Sequence, residues 1–459
     1  MSGFPAFVDR LCTFLWGYPM LALLFCAGVF FTVRLSFPQR HTLKGIRLSF
    51  KKEPGQAGDM TPFSALSTTL AATVGTGNIV GVTTAVSLGG PGAVLWMWLA
   101  GVLGMAVTYA ECALSVHYRV RLPGGRMAGG PMYVLERGLK SRGLGTMYAL
   151  LTAVAGLGTG CMVQANSASS LLSHKLSVPP HITGLVLTAL TAAVLLGGVK
   201  SIAGVCGVLM PFMAVFYLLG CLILLFAGRK TLPASIWLIL RSAFSPRPAA
   251  GGAAGAGIVL AIRFGLSRGL FSNEAGMGSA GIAAAAAQTA SSVRQGLVSA
   301  TATFWDTVVL CALTGLVVVN SGQWQTGLAG AELCDAVFSS VPVLGSLVLT
   351  AGLCVFVFAA IIGWAYYAER AVEYLAGQRL VRAYRLLYSA AVYAGSVLSL
   401  SLVWNLADIA NALMTLPNLL ALFALSPVAV SLTRRYPGLE KKAARLPNAG
   451  FAARHRRGK

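Results

Sequence analysis

Apolar positions along the chain gather into eleven runs long enough to cross a bilayer, at 13–33, 63–87, 93–117, 145–172, 182–199, 204–227, 254–285, 295–319, 344–367, 384–403 and 407–431. About 20 apolar residues suffice for one crossing helix. Two of these runs are interrupted, one by Gly75-Thr76-Gly77-Asn78 and the other by Ser272-Asn273-Glu274-Ala275-Gly276. A helix broken in mid-membrane exposes backbone N–H and C=O groups where no water reaches them. Each costs several kcal/mol unless protein, ion or substrate takes water's place. Paired breaks at corresponding places in two halves mark the binding site of a transporter.

The spacing of these features predicts an internal repeat. Asn78 and Asn273 are 195 positions apart, and Gln164 and Trp364, each in the third span of its half, are 200 apart. Five spans per half, 63–227 and 254–431, invert the second repeat relative to the first and put a pseudo-two-fold axis in the membrane plane. The expected fold is an all-α integral membrane protein of about eleven helices in one transporter domain, 1–459. It comprises an extra N-terminal helix at 13–33, the 5+5 inverted repeat with two broken helices, and a basic tail at 432–459.

Composition fits that setting: 56% of residues are hydrophobic and 10% charged, where a soluble domain carries about 25% charged residues. A net charge of +22 raises nucleic acid as a partner, but its distribution argues otherwise. Of the 35 Lys and Arg, 27 fall in alternate loops and the C-terminal tail, and six on the opposite side. The positive-inside rule then makes the C-terminus cytoplasmic and the N-terminus external, in the cytoplasmic membrane. The tail, with Arg454-His455-Arg456-Arg457, reads as a topological signal, so no nucleic-acid partner is expected. The first span has no small-residue cleavage pattern and is followed by six basic residues, which makes it an anchor helix. Eight of nine cysteines lie within or at the ends of spans, Cys334 sits alone in an external loop, and no CxxC pair occurs. Neither a disulfide framework nor a metal site is expected.

The two breaks suit a zwitterion without any formal side-chain charge. The second half of the first broken helix starts near Asn78, so Thr76 and Gly77 offer free N–H groups and a positive dipole end to a carboxylate. The first half of the other ends near Phe271-Ser272, whose unpaired carbonyls suit an ammonium, and Asn273 adds a side-chain oxygen. The Gly77-to-Gly81 spacing is also a helix-packing motif. Ionisable residues inside the spans are Glu111, Arg263, Arg268, Glu274, Asp306 and Asp408, each expensive in hydrocarbon and expected to face protein or water. Glu274 and Arg268, beside the second break, are candidates for a gate or coupling network, with structural pairing the alternative. Glu111 and Asp306, in the second span of each half, are expected to fix helices.

The motifs Gly75-Thr76-Gly77-Asn78-Ile79, Gly89-Gly90-Pro91-Gly92-Ala93 with Trp96-Met97-Trp98, Gly129-Gly130-Pro131-Met132-Tyr133 and Arg268-Gly269-Leu270-Phe271-Ser272-Asn273-Glu274-Ala275-Gly276-Met277-Gly278-Ser279-Ala280 resemble those of the alanine or glycine:cation symporter family. Arg294-Gln295-Gly296-Leu297-Val298, Gly363-Trp364 with Tyr366-Tyr367 and Glu369, and Pro417-Asn418-Leu419 extend the resemblance over nearly the whole chain. It implies a leucine-transporter-like fold carrying small neutral amino acids with Na⁺, or H⁺ in some members. It also implies a substrate pocket that includes Gln164, Gly276 and Trp364, where an amide can bond the substrate's polar head and an indole can wall its side chain. The family's cation position corresponds to Thr73, Val74, Ala359 and Ala360.

Three departures from the family pattern stand out. Gly281 and Ala284 replace a proline and a histidine, and Val134 replaces an aromatic. Ala359-Ala360 replace a Ser/Thr pair, which removes two hydroxyl ligands for Na⁺ and leaves H⁺ through Glu274, a weaker Na⁺ site elsewhere, or no coupling ion as alternatives.

A membrane enzyme is the competing class. The five histidines lie near span ends or in loops, and no HExxH occurs. No catalytic residue and no cofactor is assigned. A channel or a receptor on the same fold would show flux without coupling, or binding without flux. The reading is a secondary transporter of alanine- or glycine-sized amino acids working by alternating access, with the bilayer and the substrate as partners and no obligate protein partner.

Overall fold

A computed structural model of the chain describes residues 3–53, 55–245, 257–398 and 401–437. The tail from 438 onward, Arg247 and the first residues of the 254–285 run lie outside the described residues.

Almost everything described is helix, and the eleven expected spans are all accounted for. Seven helices are long and apolar enough to cross a membrane by length and composition: Ala6–Arg34, Ala93–His117, Arg142–Leu176, Gly198–Ala227, Ser292–Ser321, Leu344–Ala376 and Val403–Ala424. An eighth is the bent pair Pro62–Thr73 and Gly77–Gly89, whose halves meet at 57°. The other three expected spans are shorter, charged or split. Pro180–Leu196 is short, Gln378–Val397 carries Arg379, Arg382 and Arg385, and the second broken helix is split into Gly257–Asn273 and Ser279–Ala285.

Several boundaries move, each for a stated reason. The 13–33 run starts earlier, as two helices, Phe4–Leu15 and Tyr18–Arg34, separated at extended Gly17 with Pro19 opening the second. The 407–431 run ends at Ala424, because Pro427 starts a separate short helix, Ser426–Arg434. Cys334 is not in an open loop but buried in a helix, Gly330–Phe338, that packs on the bundle.

The second spans of the two halves, Ala93–His117 and Ser292–Ser321, pack along each other through the middle of the molecule. Thr108 and Thr303, 195 residues apart, share a hydrogen bond of 2.9 Å at that contact. Small residues allow the other close approaches. A Cβ on Gly363 would lie 2.5 Å from the backbone nitrogen of Ala72, and one on Gly395 would lie 2.5 Å from Cα of Met162. Gly281, where the family pattern differs, packs so tightly that a Cβ there would sit 2.2 Å from Ser115 Oγ.

Candidate functional site

The first break follows from a helix that runs out of partners at Val74, whose backbone turns extended. Asn78 reaches back over the gap: its Oδ1 accepts from Gly75 N–H at 2.9 Å, and its Nδ2 donates to Asp306 Oδ1 at 2.6 Å. From Gly77 to Gly81 the chain winds as a wide π turn before normal helix resumes at Val82. Single π turns of this kind concentrate at functional sites. Gly77 and Gly81 both face the second broken helix, but a Cβ would lie 3.7 Å from Ser272 and 4.0 Å from Arg268. A methyl group fits at either position, so backbone contact too close for a Cβ is not what these two glycines supply.

The second break depends on backbone angles that side chains rarely adopt. Glu274, Gly276 and Gly278 have φ of 55°, 98° and 88°. The two glycines adopt them at no steric cost, and neither has room for a side chain: a Cβ on Gly276 would lie 2.5 Å from Leu24, and one on Gly278 would lie 2.3 Å from Pro131. The freed N–H groups of Gly276 and Gly278 donate to Glu111 Oε1 at 2.9 and 3.1 Å, and Asn418 Nδ2 donates to the same oxygen at 2.7 Å. Tyr148 O–H donates to the carbonyl of Met277 at 2.8 Å. Glu274 accepts from Ser279 O–H at 2.6 Å and from Trp364 Nε1–H at 3.1 Å.

A crossed arrangement emerges. Glu111, in the second span of the first half, holds the break of the second half. Asp306, its counterpart 195 residues on, holds the break of the first half through Asn78 and reaches the other through Ser272 O–H at 3.1 Å, with Thr307 O–H at 2.7 Å. Glu111, Glu274 and Asp306 are all buried, and none has a cationic side chain among its salt-bridge partners in the described residues.

Beside the breaks lies a cavity of about 720 Å³. Thr76, Gly77, Arg268 and Phe271 line it together with Asn166, His174, Lys175, Glu332, Asp335 and Trp404. Lys175 and Asp335 form an ion pair of 2.5 Å there. The Nε of Arg268 is buried with no hydrogen-bond partner among the described residues. On the opposite face the two broken helices are closed over. Met60 and Ala287 form an isolated parallel bridge, Arg294 pairs with Glu53, and Arg119 donates to the carbonyls of Ala57, Ala285, Ala287 and Thr289. Burial lowers the pKa of the Arg119 guanidinium and raises that of the Asp59 carboxyl beside it, the latter against the pull of the Met127 N–H.

The structure distributes the expected site residues unevenly. Thr76, Gly77, Phe271 and Arg268 reach the cavity. Asn78 is wholly buried with both ends of its amide engaged, and Asn273 Oδ1 accepts from Ala275 N–H at 3.0 Å while its buried Nδ2 has no partner among the described residues. Trp364 is also buried, its N–H on Glu274, and is not part of the cavity lining. Gln164 sits against the first break, its buried Oε1 unpartnered among the described residues and 3.3 Å from where a Cβ on Gly75 would be. The Cβ of Ala360 lies 3.7 Å from the same point. The sequence reading missed Trp404 and Asn166 at the cavity, for which no local motif exists. It quoted Asn418 in a motif without seeing that it grips the second break.

The chain was compared with known proteins. The sodium:alanine symporter family matches it over residues 1–449. It is 45% identical over 453 residues to the sodium/alanine symporter AgcS of Methanococcus maripaludis, covering 96% of this chain and 99% of that protein. It is 36% identical to a probable sodium/glutamine symporter, GlnT, of Bacillus subtilis, covering 94% and 90%. Among solved structures, MhsT in complex with L-phenylalanine superposes with a TM-score of 0.54 at 14% identity, covering 83% of this chain and 99% of that one. That likeness concerns the fold. The motifs that carry the breaks, the crossed carboxylates behind them and the match over nearly the full length agree: this chain belongs to the sodium:alanine symporter family, whose members are transporters and not enzymes.

Proposed function

We propose that the protein takes up a small neutral amino acid, alanine or glycine, together with a cation by alternating access, with its N-terminus outside and its C-terminus in the cytoplasm. The observation that carries this reading is the presence of Thr76–Gly77 and Phe271, from the two breaks, in the lining of one cavity. N–H groups of the first turn at Thr76 and Gly77 would receive the carboxylate. The unpartnered Gln164 Oε1 and the carbonyls near Phe271 and Ser272 would take the ammonium. Closure on the Glu53–Arg294 face with a cavity on the other is one of the two states alternating access requires. The loop charges support the orientation.

The cation is assigned to the Asp306 cluster in preference to the Thr73, Val74, Ala359 and Ala360 position. Na⁺ is a hard ion that wants oxygen ligands. Asp306, Ser272 and Thr307 bring a carboxylate and two hydroxyls together beside the first break, and among the described residues Asp306 has no ion-pair partner. Ala359 and Ala360 bring none. Asp306 would thereby link the ion to both breaks at once, and Arg268, in the cavity lining, would act as a gate.

Uptake of labelled alanine into proteoliposomes under an imposed Na⁺ gradient, H⁺ gradient or neither tests the reading. Accumulation above equilibrium with Na⁺ or H⁺ is expected. Equilibration at the same rate under all three conditions means a facilitator instead.

A further inference from the structure

The segment joining the first span to the first broken helix has no part in the site, yet it is built in an unusual way. Its helix Thr42–Ser49 buries one edge, Gly45 and Ser49, against the Ser292–Thr303 helix, so closely that a Cβ on Gly45 would lie 2.4 Å from the carbonyl oxygen of Leu297. The opposite edge is exposed and mixed: Leu43 is 71% exposed, Phe50 is 67% exposed, and Arg47 lies between them at helical spacing. Arg40, Lys51 and Lys52 are exposed beside that edge. Among the described residues none of these four cations has a carboxylate partner. The strip also continues the outer flank of the Tyr18–Arg34 helix, where Phe30, Val33 and then Arg34 are exposed.

We propose that this strip is a binding surface for anionic phospholipid headgroups and that its occupant tunes transport. Leu43 and Phe50 reach the boundary between headgroups and acyl chains while Arg47, Lys51 and Lys52 meet the phosphates, the arrangement of an interfacial helix. A topological signal needs only the number of positive charges in the loop. It does not need them ordered along one edge between exposed apolar side chains. The surface is tied to the closed face of the transporter: Arg294 donates to the carbonyl of Lys51 at 2.6 Å and pairs with Glu53 two residues on. A lipid drawing on residues 47–52 therefore acts directly on the contact that keeps that face shut.

The test compares the wild type with an Arg47→Gln/Lys51→Gln/Lys52→Gln variant, both full length and reconstituted in vesicles of phosphatidylcholine with or without phosphatidylglycerol. Phosphatidylglycerol retained by the purified protein, counted by native mass spectrometry, gives a readout independent of whether alanine is the substrate. Retention should fall at least about tenfold in the variant. Alanine uptake by the wild type should depend on phosphatidylglycerol, while the variant keeps its phosphatidylcholine rate and loses the response. A Leu43→Ser/Phe50→Ser variant should weaken retention with every charge intact. Undiminished retention in the glutamine variant, or an unchanged lipid response, overturns the proposal. So does inorganic phosphate reproducing the phosphatidylglycerol effect in phosphatidylcholine vesicles, which would make the strip a general anion site.

Discussion

Thr108 and Thr303 occupy equivalent places in the two halves, 195 residues apart, and their hydroxyls meet at 2.9 Å. Two symmetry mates can touch each other only where the pseudo-two-fold axis passes. One helical turn further along each helix stand Glu111 and Asp306, which places each carboxylate at the break of the other half. Each break is thus held by a span of the opposite repeat, so the halves cannot rearrange independently at the site.

Removing the tie at the first break should be felt as weaker substrate binding. Asn78→Ala frees the Gly75 N–H and takes a 2.6 Å donor from Asp306. Loss of a hydrogen bond to a charged group is worth roughly 1.5–3 kcal/mol. Equilibrium binding of labelled alanine to the purified, monodisperse variant should weaken accordingly, and wild-type affinity would remove Asn78 from the account.

The cation assignment is tested by two opposite changes. Asp306→Asn keeps the shape and removes the charge, so Na⁺ stimulation of alanine uptake should disappear while the protein remains folded. Ala359→Ser/Ala360→Thr adds two hydroxyls near the first break and should sharpen Na⁺ dependence. Strong Na⁺ stimulation that survives Asp306→Asn would locate the ion elsewhere.

Trp364 offers a way to separate packing from selectivity. Trp364→Phe retains most of the bulk and deletes the N–H that Glu274 accepts at 3.1 Å, which should cost about 1–3 kcal/mol for the buried oxygen left unpaired. If the indole also bounds the substrate in the occluded state, Trp364→Ala should admit larger side chains, since one methylene in a tight pocket is worth about 1–3 kcal/mol. Competition of labelled alanine uptake by leucine measures this, and an unchanged leucine-to-alanine ratio would restrict Trp364 to supporting Glu274.

A packing test lies away from the chemistry. Gly363→Ala would drive a methyl group to 2.5 Å from the Ala72 backbone, where the first broken helix and the Leu344–Ala376 helix meet. Overpacking of this kind costs typically about 1–3 kcal/mol. The variant should unfold at lower temperature in detergent than the wild type, and an unchanged midpoint would mean that the two helices are free to separate.

What the sequence determined by itself was the frame. Hydrophobic run length set the eleven spans, because backbone groups in hydrocarbon must be satisfied within each helix. The 195-residue offset between Asn78 and Asn273 announced the repeat, and the glycine- and asparagine-containing interruptions of two apolar runs announced the breaks. Tertiary structure decided who satisfies the freed groups. Glu111 and Gly276 are 165 residues apart, and Asn78 and Asp306 are 228 apart. No periodicity links such partners, since their meeting depends on how five helices of one half fold back across five of the other. For the same reason the partners of Asn273 Oδ1 and of the Trp364 indole N–H, the Ala275 N–H and the Glu274 carboxylate, are not written in any local motif. A side chain's chemical type is written in the sequence, but the direction in which it is spent is fixed only when the opposing helix arrives.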